Sequence, residues 1–171
     1  GIDTGILDEP PVKLEIRTGG QVKQRYPFRF ENEWPIARTQ WTKFYLKIDR
    51  EPLPDPDGVE GELVKTPLAT TATASYSATS DHGHNPAGGV TFETPPMEQD
   101  TEVTGPIVLN IWVSSTSEDC DIYATIRNIG PDGKDVVEAG QRGEPQPGVT
   151  KGWLRASHRK LDSEKSLPYR P

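Results

Sequence analysis

Between Thr101 and Val113 the chain alternates, and that alternation leaves few folds open. Val103, Ile107, Leu109, Ile111 and Val113 fall on one side, together with Thr101 and Gly105. Glu102, Thr104, Asn110 and Ser114 fall on the other, with Pro106, Val108 and Trp112 among them. A period of two over this length predicts a long β-strand with one face in a core. Val108 and Trp112 make the second face only half polar, so that face is expected to be covered in part by another segment. Pro106 has no N–H to donate, which puts it at a strand start, an edge or a bulge beside Gly105. The polar corner from Ser114 to Asp119 then leads into a second strand, and the two read as the central pair of a β-sandwich.

The rest of the chain fits this class. In the order of the sequence, Val12, Leu14 and Ile16 alternate with charged residues up to Gly19-Gly20. Tyr26, Phe28 and Phe30 alternate with Arg25, Pro27 and Arg29, a weaker strand whose proline suits an edge. Trp34-Pro35 is expected to be extended. Trp41 to Ile48 reads as a strand, followed by a proline-rich loop, and Glu62 to Lys65 and Ala72 to Ala78 read as short strands. Ser80 to Gly89 is irregular. Ile122, Ala124 and Ile126 alternate with Tyr123, Thr125 and Arg127, and Gly130-Pro131-Asp132-Gly133 is a tight turn from which Asp135 to Ala139 returns antiparallel. Gln141 to Lys151 reads as a loop, Trp153 to Arg159 as a last strand, and Lys160 to Pro171 shows no periodicity. No ten residues carry a helical apolar period, so the chain is all-β.

At 171 residues one domain is expected. The formal net charge of −7 speaks against nucleic acid and anionic membrane as partners. A hydrophobic content of 32% is low for a self-sufficient core, and 17 prolines exceed the roughly 5% of an average chain, which points to turns and loops. Cys120 is the single cysteine, so there is no internal disulfide framework and no oxidising compartment is implied; a cytoplasmic location is the expectation. No apolar run has membrane-spanning length.

Six pieces of this sequence, in order, resemble one family. They are GIDTGILDEPPVKLEIR, EWPIARTQWTKFYL, NPAGG, FETPPMEQDTEVTGPIVLNIWVSS, DCDIYATIRNIGPDGK and WLRASHRK. Together they resemble the C-terminal, non-catalytic domain of the X-Pro dipeptidyl-peptidase and cocaine-esterase-like (CocE/NonD) serine hydrolases. The resemblance implies a jelly-roll β-sandwich of the galactose-binding-domain-like kind over residues 12–171, with residues 1–11 a connector from an upstream α/β-hydrolase domain. It implies that the parent cuts esters or amides with a Ser-Asp-His triad upstream of Gly1. The family domain continues with further strands past Pro171, so the sandwich is expected to be incomplete at its C-terminus. The loop from Ser80 to Gly89, with two histidines, departs from the family's proline-rich form.

The chain itself carries no catalytic machinery that the sequence reveals. A nucleophile elbow needs Gly-x-Ser-x-Gly on a strand-to-helix turn, and no such match occurs. Asp81, His82 and His84 offer metal-ligand chemistry but fit no closed zinc pattern. Asp119 and Asp121 share a strand face and are the weak candidates for calcium, with local backbone hydrogen bonding as the plainer reading. Cys120 sits between carboxylates, which disfavours a thiolate. No cofactor and no metal are therefore expected. Trp34, Trp41 and Trp112 are the candidates for lining an interface or a cleft. Three functions stay open: an accessory domain packed on the catalytic domain of the same polypeptide and shaping its cleft, a carbohydrate-binding jelly roll, and a purely structural or homo-oligomerising domain.

Overall fold

The computed structural model describes residues 4–17, 26–48, 59–76, 89–139 and 145–169. Among them the chain is all-β, consistent with a β-sandwich domain whose sheets are not closed. Nine strands occur: β1 (Val12–Glu15), β2 (Phe28–Glu31), β3 (Tyr45–Lys47), β4 (Val59–Val64), β5 (Val90–Glu93), β6 (Asp121–Ile126), β7 (Val137–Ala139), β8 (Pro145–Pro147) and β9 (Thr150–Arg155). The helical content is two single turns of 3-10 helix, Ile6–Asp8 and Ala156–His158. No described helix is long and apolar enough to cross a membrane. The Asp81, His82 and His84 loop lies outside the described residues.

The chain divides into two compact units, one of residues 1–39 and 104–171, the other of residues 40–103. The first holds three antiparallel ribbons: β1 with β2, β6 with β9, and β7 with β8. Its buried apolar side chains are Tyr26 and Ile36, either side of β2. Ile36 follows a cis Trp34-Pro35 peptide, and its carbonyl accepts from the Thr39 amide at 2.9 Å, which closes the turn that tucks its side chain inward.

The register of β1 and β2 overturns one expected face. Leu14 lies opposite Arg29 and Val12 opposite Glu31, so the aliphatic row of β1 shares a face with charged residues. Phe28 and Phe30 point to the more exposed side instead. Two contacts make this tolerable. The Lys13 ammonium sits 4.7 Å from the Phe28 ring centre and 5.4 Å from that of Phe30, and its methylene stem covers apolar surface. On the other face Arg29 Nε lies 2.7 Å from Glu31, and Arg38 donates to both oxygens of the same carboxylate. These guanidinium donors, Arg38 first, hold the Glu31 pKa below its ordinary value.

The described residues of the second unit form one sheet, ordered β3-β4-β5, antiparallel between β3 and β4 and parallel between β4 and β5. Gly61 pairs with Phe92 across the parallel ladder, and the ring lies where a Gly61 side chain would project. The strand at Trp41–Ile48 is confined to Tyr45–Lys47, and Ala72 to Tyr76 form none. Strand β5 was not expected, because Val90 to Glu93 offers only two apolar positions and gains its place from β4.

The largest correction concerns Thr101–Val113, which joins no sheet. A strand needs a ladder partner, and among the described residues no other segment supplies one to this run. The row expected to face a core stays open, with Ile107, Leu109 and Val113 about half exposed, whereas on the second face Thr104, Pro106 and Val108 are half-buried and Trp112 is fully exposed. The expected hairpin forms only at its tip. Gly133, at φ 75°, closes the turn by donating to Gly130, and Ile129 bridges Asp135. Beyond the bridge β7 leaves to pair with β8, while β6 takes β9. Strands β8 and the start of β9 thus fall inside Gln141–Lys151, where a loop was expected. Four glycines and prolines there mask the pairing signal.

Candidate functional site

The Asp119–Asp121 corner is where the sequence's candidates acquire definite partners. Strand β6 opens at Asp121 directly opposite Arg155, the last residue of β9. The pair is bidentate, with Arg155 Nε 2.8 Å from Asp121 Oδ1 and Nη2 3.0 Å from Oδ2. The chain then turns into the 3-10 turn at Ala156–His158. The Ala156 amide donates to the Cys120 carbonyl at 2.9 Å, extending the ladder past the pair. Ser157 follows, donating its amide to Asp119 Oδ1 at 3.0 Å and its hydroxyl to Oδ2 at 2.6 Å. The Cys120 amide adds a third donor at 2.9 Å.

All four carboxylate oxygens therefore accept from the protein's own donors. A calcium ion here would have to displace a guanidinium, and among the described residues no three His, Cys, Asp or Glu side chains gather as metal ligands. The arrangement is not a nucleophile either. In a triad the serine donates to a histidine base, whereas Ser157 donates to a carboxylate whose basicity the same bond lowers. The corner locks β6 to β9.

Its electrostatics give a pH dependence. The Ser157 hydroxyl bond, ahead of the backbone amides and Arg155, holds Asp119 below the ordinary carboxyl pKa of 3.8, and Arg155 does the same for Asp121. A carboxylate with a lowered folded pKa stabilises the fold above its unfolded pKa, and the contribution is lost as pH falls through the folded value. On acidification through the carboxylate range the corner should thus loosen, read as lost amide protection along the β6–β9 ladder. Protection that does not change as these carboxylates are protonated would contradict this account of the corner. Salt should narrow the effect, because these groups are partly exposed.

Beside the ion pair lies an open hollow lined by Asp121, Tyr123, Trp153, Leu154, Arg155 and His158. Tyr123 and Trp153 are directly opposite across the ladder, on the face of the ion pair, and each is about three-quarters exposed. The sequence did not show that these two aromatics pair, nor the roles of Arg155 and Ser157. The signal was present as D-C-D and L-R-A-S, but 34 residues separate Asp121 from Arg155 and only the ladder joins them. Of the three interface candidates, Trp34 and Trp112 lie in the first unit and Trp41 in the second. All three are exposed, Trp34 and Trp41 by about half.

Known proteins extend this picture. The family described as the X-Pro dipeptidyl-peptidase C-terminal non-catalytic domain matches residues 4–171. Two curated relatives, from Mycobacterium bovis and Mycobacterium tuberculosis, each named "Putative serine esterase", are 32% identical to the chain over 99% of its length. The match takes in 26% of each, so the chain spans about a quarter of their length. No solved structure matches it. Matched from Thr4 to its last residue, the chain belongs to the family of X-Pro dipeptidyl-peptidase C-terminal non-catalytic domains.

Proposed function

We propose that the chain is the accessory domain of a serine hydrolase, packed on a catalytic domain of the same polypeptide and helping to wall its active-site cleft. The observation that carries this reading is Trp112, fully exposed among half-exposed aliphatic neighbours. Tryptophan loses little conformational freedom on docking and brings a large contact area, so it is enriched where proteins meet. Trp34 and Trp41 supply further exposed anchors. Family membership and the relatives' names support the hydrolase class; ester or amide cleavage, including release of X-Pro dipeptides, is the activity we assign to the parent.

The carbohydrate-binding reading has one support, the exposed Tyr123–Trp153 pair beside a fixed ion pair. The two readings part over which tryptophans are covered. In the natural polypeptide, oxidative footprinting should find Trp112 shielded at least tenfold relative to a short model peptide. Residues 1–171 alone should turn over neither ester nor X-Pro substrates. Turnover by the isolated chain that vanishes on mutating one of its own residues would sink the accessory reading, as would a freely oxidised Trp112. A shielded Trp112 with Trp153 left open to a glycan would favour the second.

A further inference from the structure

Strands β6 and β9 put three pairs of side chains on one exposed face: Asp121 opposite Arg155, Tyr123 opposite Trp153, and Thr125 opposite Lys151. The two rings form a platform with a cation in the row on either side, Arg155 and Lys151, each about 7 Å away along the strand. The hollow beside this platform measures about 430 Å³, and a second of about 500 Å³ adjoins it, sharing Leu154 and His158 as walls. Arg159, Lys160 and Lys165 line the second hollow. The Arg159 guanidinium is held there by its bond to the Ala156 carbonyl at 3.0 Å. Lys165 reaches Asp162 at 3.5 Å, whereas Lys160 has no ion-pair partner among the described residues. From residue 151 to 165 five Lys and Arg stand against two acids, in a chain whose net charge is −7.

We propose that this face binds an acidic saccharide, a short chain of sugar rings of the uronic-acid type. One ring stacks on Tyr123 and Trp153, and the carboxylates of its neighbours meet Lys151 on one side and Arg159 and Lys160 on the other. Each part of the site selects against another ligand. An open hollow covers one face of its occupant, so a wholly apolar molecule would keep much of its surface in water. A sugar ring offers a C–H face to the aromatic pair and keeps its rim of hydroxyls hydrated. The row from Lys151 to Arg155 alone spans roughly 13 Å, longer than an acid of one ring. Single-stranded nucleic acid also brings rings and anions, but the field of a chain at −7 repels a long polyanion.

The inference rests on the carbohydrate reading of the Tyr123–Trp153 pair and goes beyond it by fixing the charge of the ligand. It is independent of what Trp112 meets.

Titration calorimetry of the natural polypeptide tests it, with cellotetraose and with the same tetrasaccharide oxidised to a carboxylate at each C6. The oxidised sugar should bind about tenfold tighter at low salt, and the gap should shrink to about threefold at about 0.5 M NaCl. Trp153→Ala should weaken both sugars by about tenfold. Lys151→Gln with Lys160→Gln, at exposed positions that leave the ladder intact, should abolish the preference and spare the neutral sugar. Equal binding of the two sugars overturns the acid preference and leaves the carbohydrate reading standing, whereas binding of neither overturns both. A preference that survives both variants places the sugar elsewhere and overturns the proposal. Tighter binding of a single-stranded oligodeoxynucleotide of equal charge, lost in the same variants, overturns it in favour of nucleic acid.

Discussion

Ile36→Ala should destabilise the first unit by about 3 kcal/mol, a large share of the roughly 5–15 kcal/mol that holds a typical domain. Ile36 is 5% exposed and Tyr26 is 8% exposed, and they are the buried apolar side chains among the described residues. Removing the Ile36 branches leaves a cavity that the turn closed by Thr39 cannot collapse to fill, because its backbone bond fixes the approach. Denaturant unfolding checks this, with the midpoint falling and the slope unchanged. Leu7→Ala serves as the contrast, since Leu7 is almost fully exposed and should cost nothing measurable. A loss under about 1 kcal/mol at Ile36 would mean that the core lies elsewhere.

Gly61→Ala should act on the second unit with similar force. A Cβ at Gly61 would stand 2.5 Å from the Lys47 carbonyl oxygen and 2.7 Å from the Phe92 ring. The ring can turn away, but the carbonyl belongs to the β3–β4 ladder and cannot move without breaking it. Overpacking of this kind costs about 1–3 kcal/mol where side chains can adjust, and a backbone clash belongs at the top of that range. Amide protection should fall across Tyr45–Lys47 and Val90–Glu93 while the β6–β9 ladder keeps its own. Adding Phe92→Ala should recover only part of the loss. Full recovery would show that the ring, not the carbonyl, is the obstacle.

The sequence made the local elements legible where one strand's own residues decide its pattern. Val12–Glu15 and Asp121–Ile126 appear as their alternation predicts, and the Gly130–Gly133 turn follows from its residue chemistry. Pairing was not legible, since it depends on residues far apart. Asp135 to Ala139 looked like the partner of β6 because it is near, yet β9 holds that edge through the Asp121–Arg155 pair and the Ser157 bonds to Asp119. The same limit applies at Thr101–Val113, where a period says nothing about whether a neighbour is present, and the row expected in a core is the more exposed one. Phe28 and Phe30 show a third case: the apolar row of one strand met the charged row of the next, and Lys13 and Arg38 absorbed the mismatch.

The parallel pairing of β4 with β5 bears on how the chain tolerates changes in length. Antiparallel neighbours joined by a tight turn lose their register when a residue is added, but a crossover between parallel strands only has to span the gap. Val64 and Val90 bound such a crossover, and the Gly61–Phe92 contact, not the length of the link, fixes how the two strands meet. Loop-closure entropy grows slowly, by about 0.6 kcal/mol for each doubling of loop length. The alignment with the mycobacterial relatives runs over 190 positions against the 171 residues of this chain, so they carry insertions. The crossover between β4 and β5 is a place where such additions leave every ladder bond as it stands.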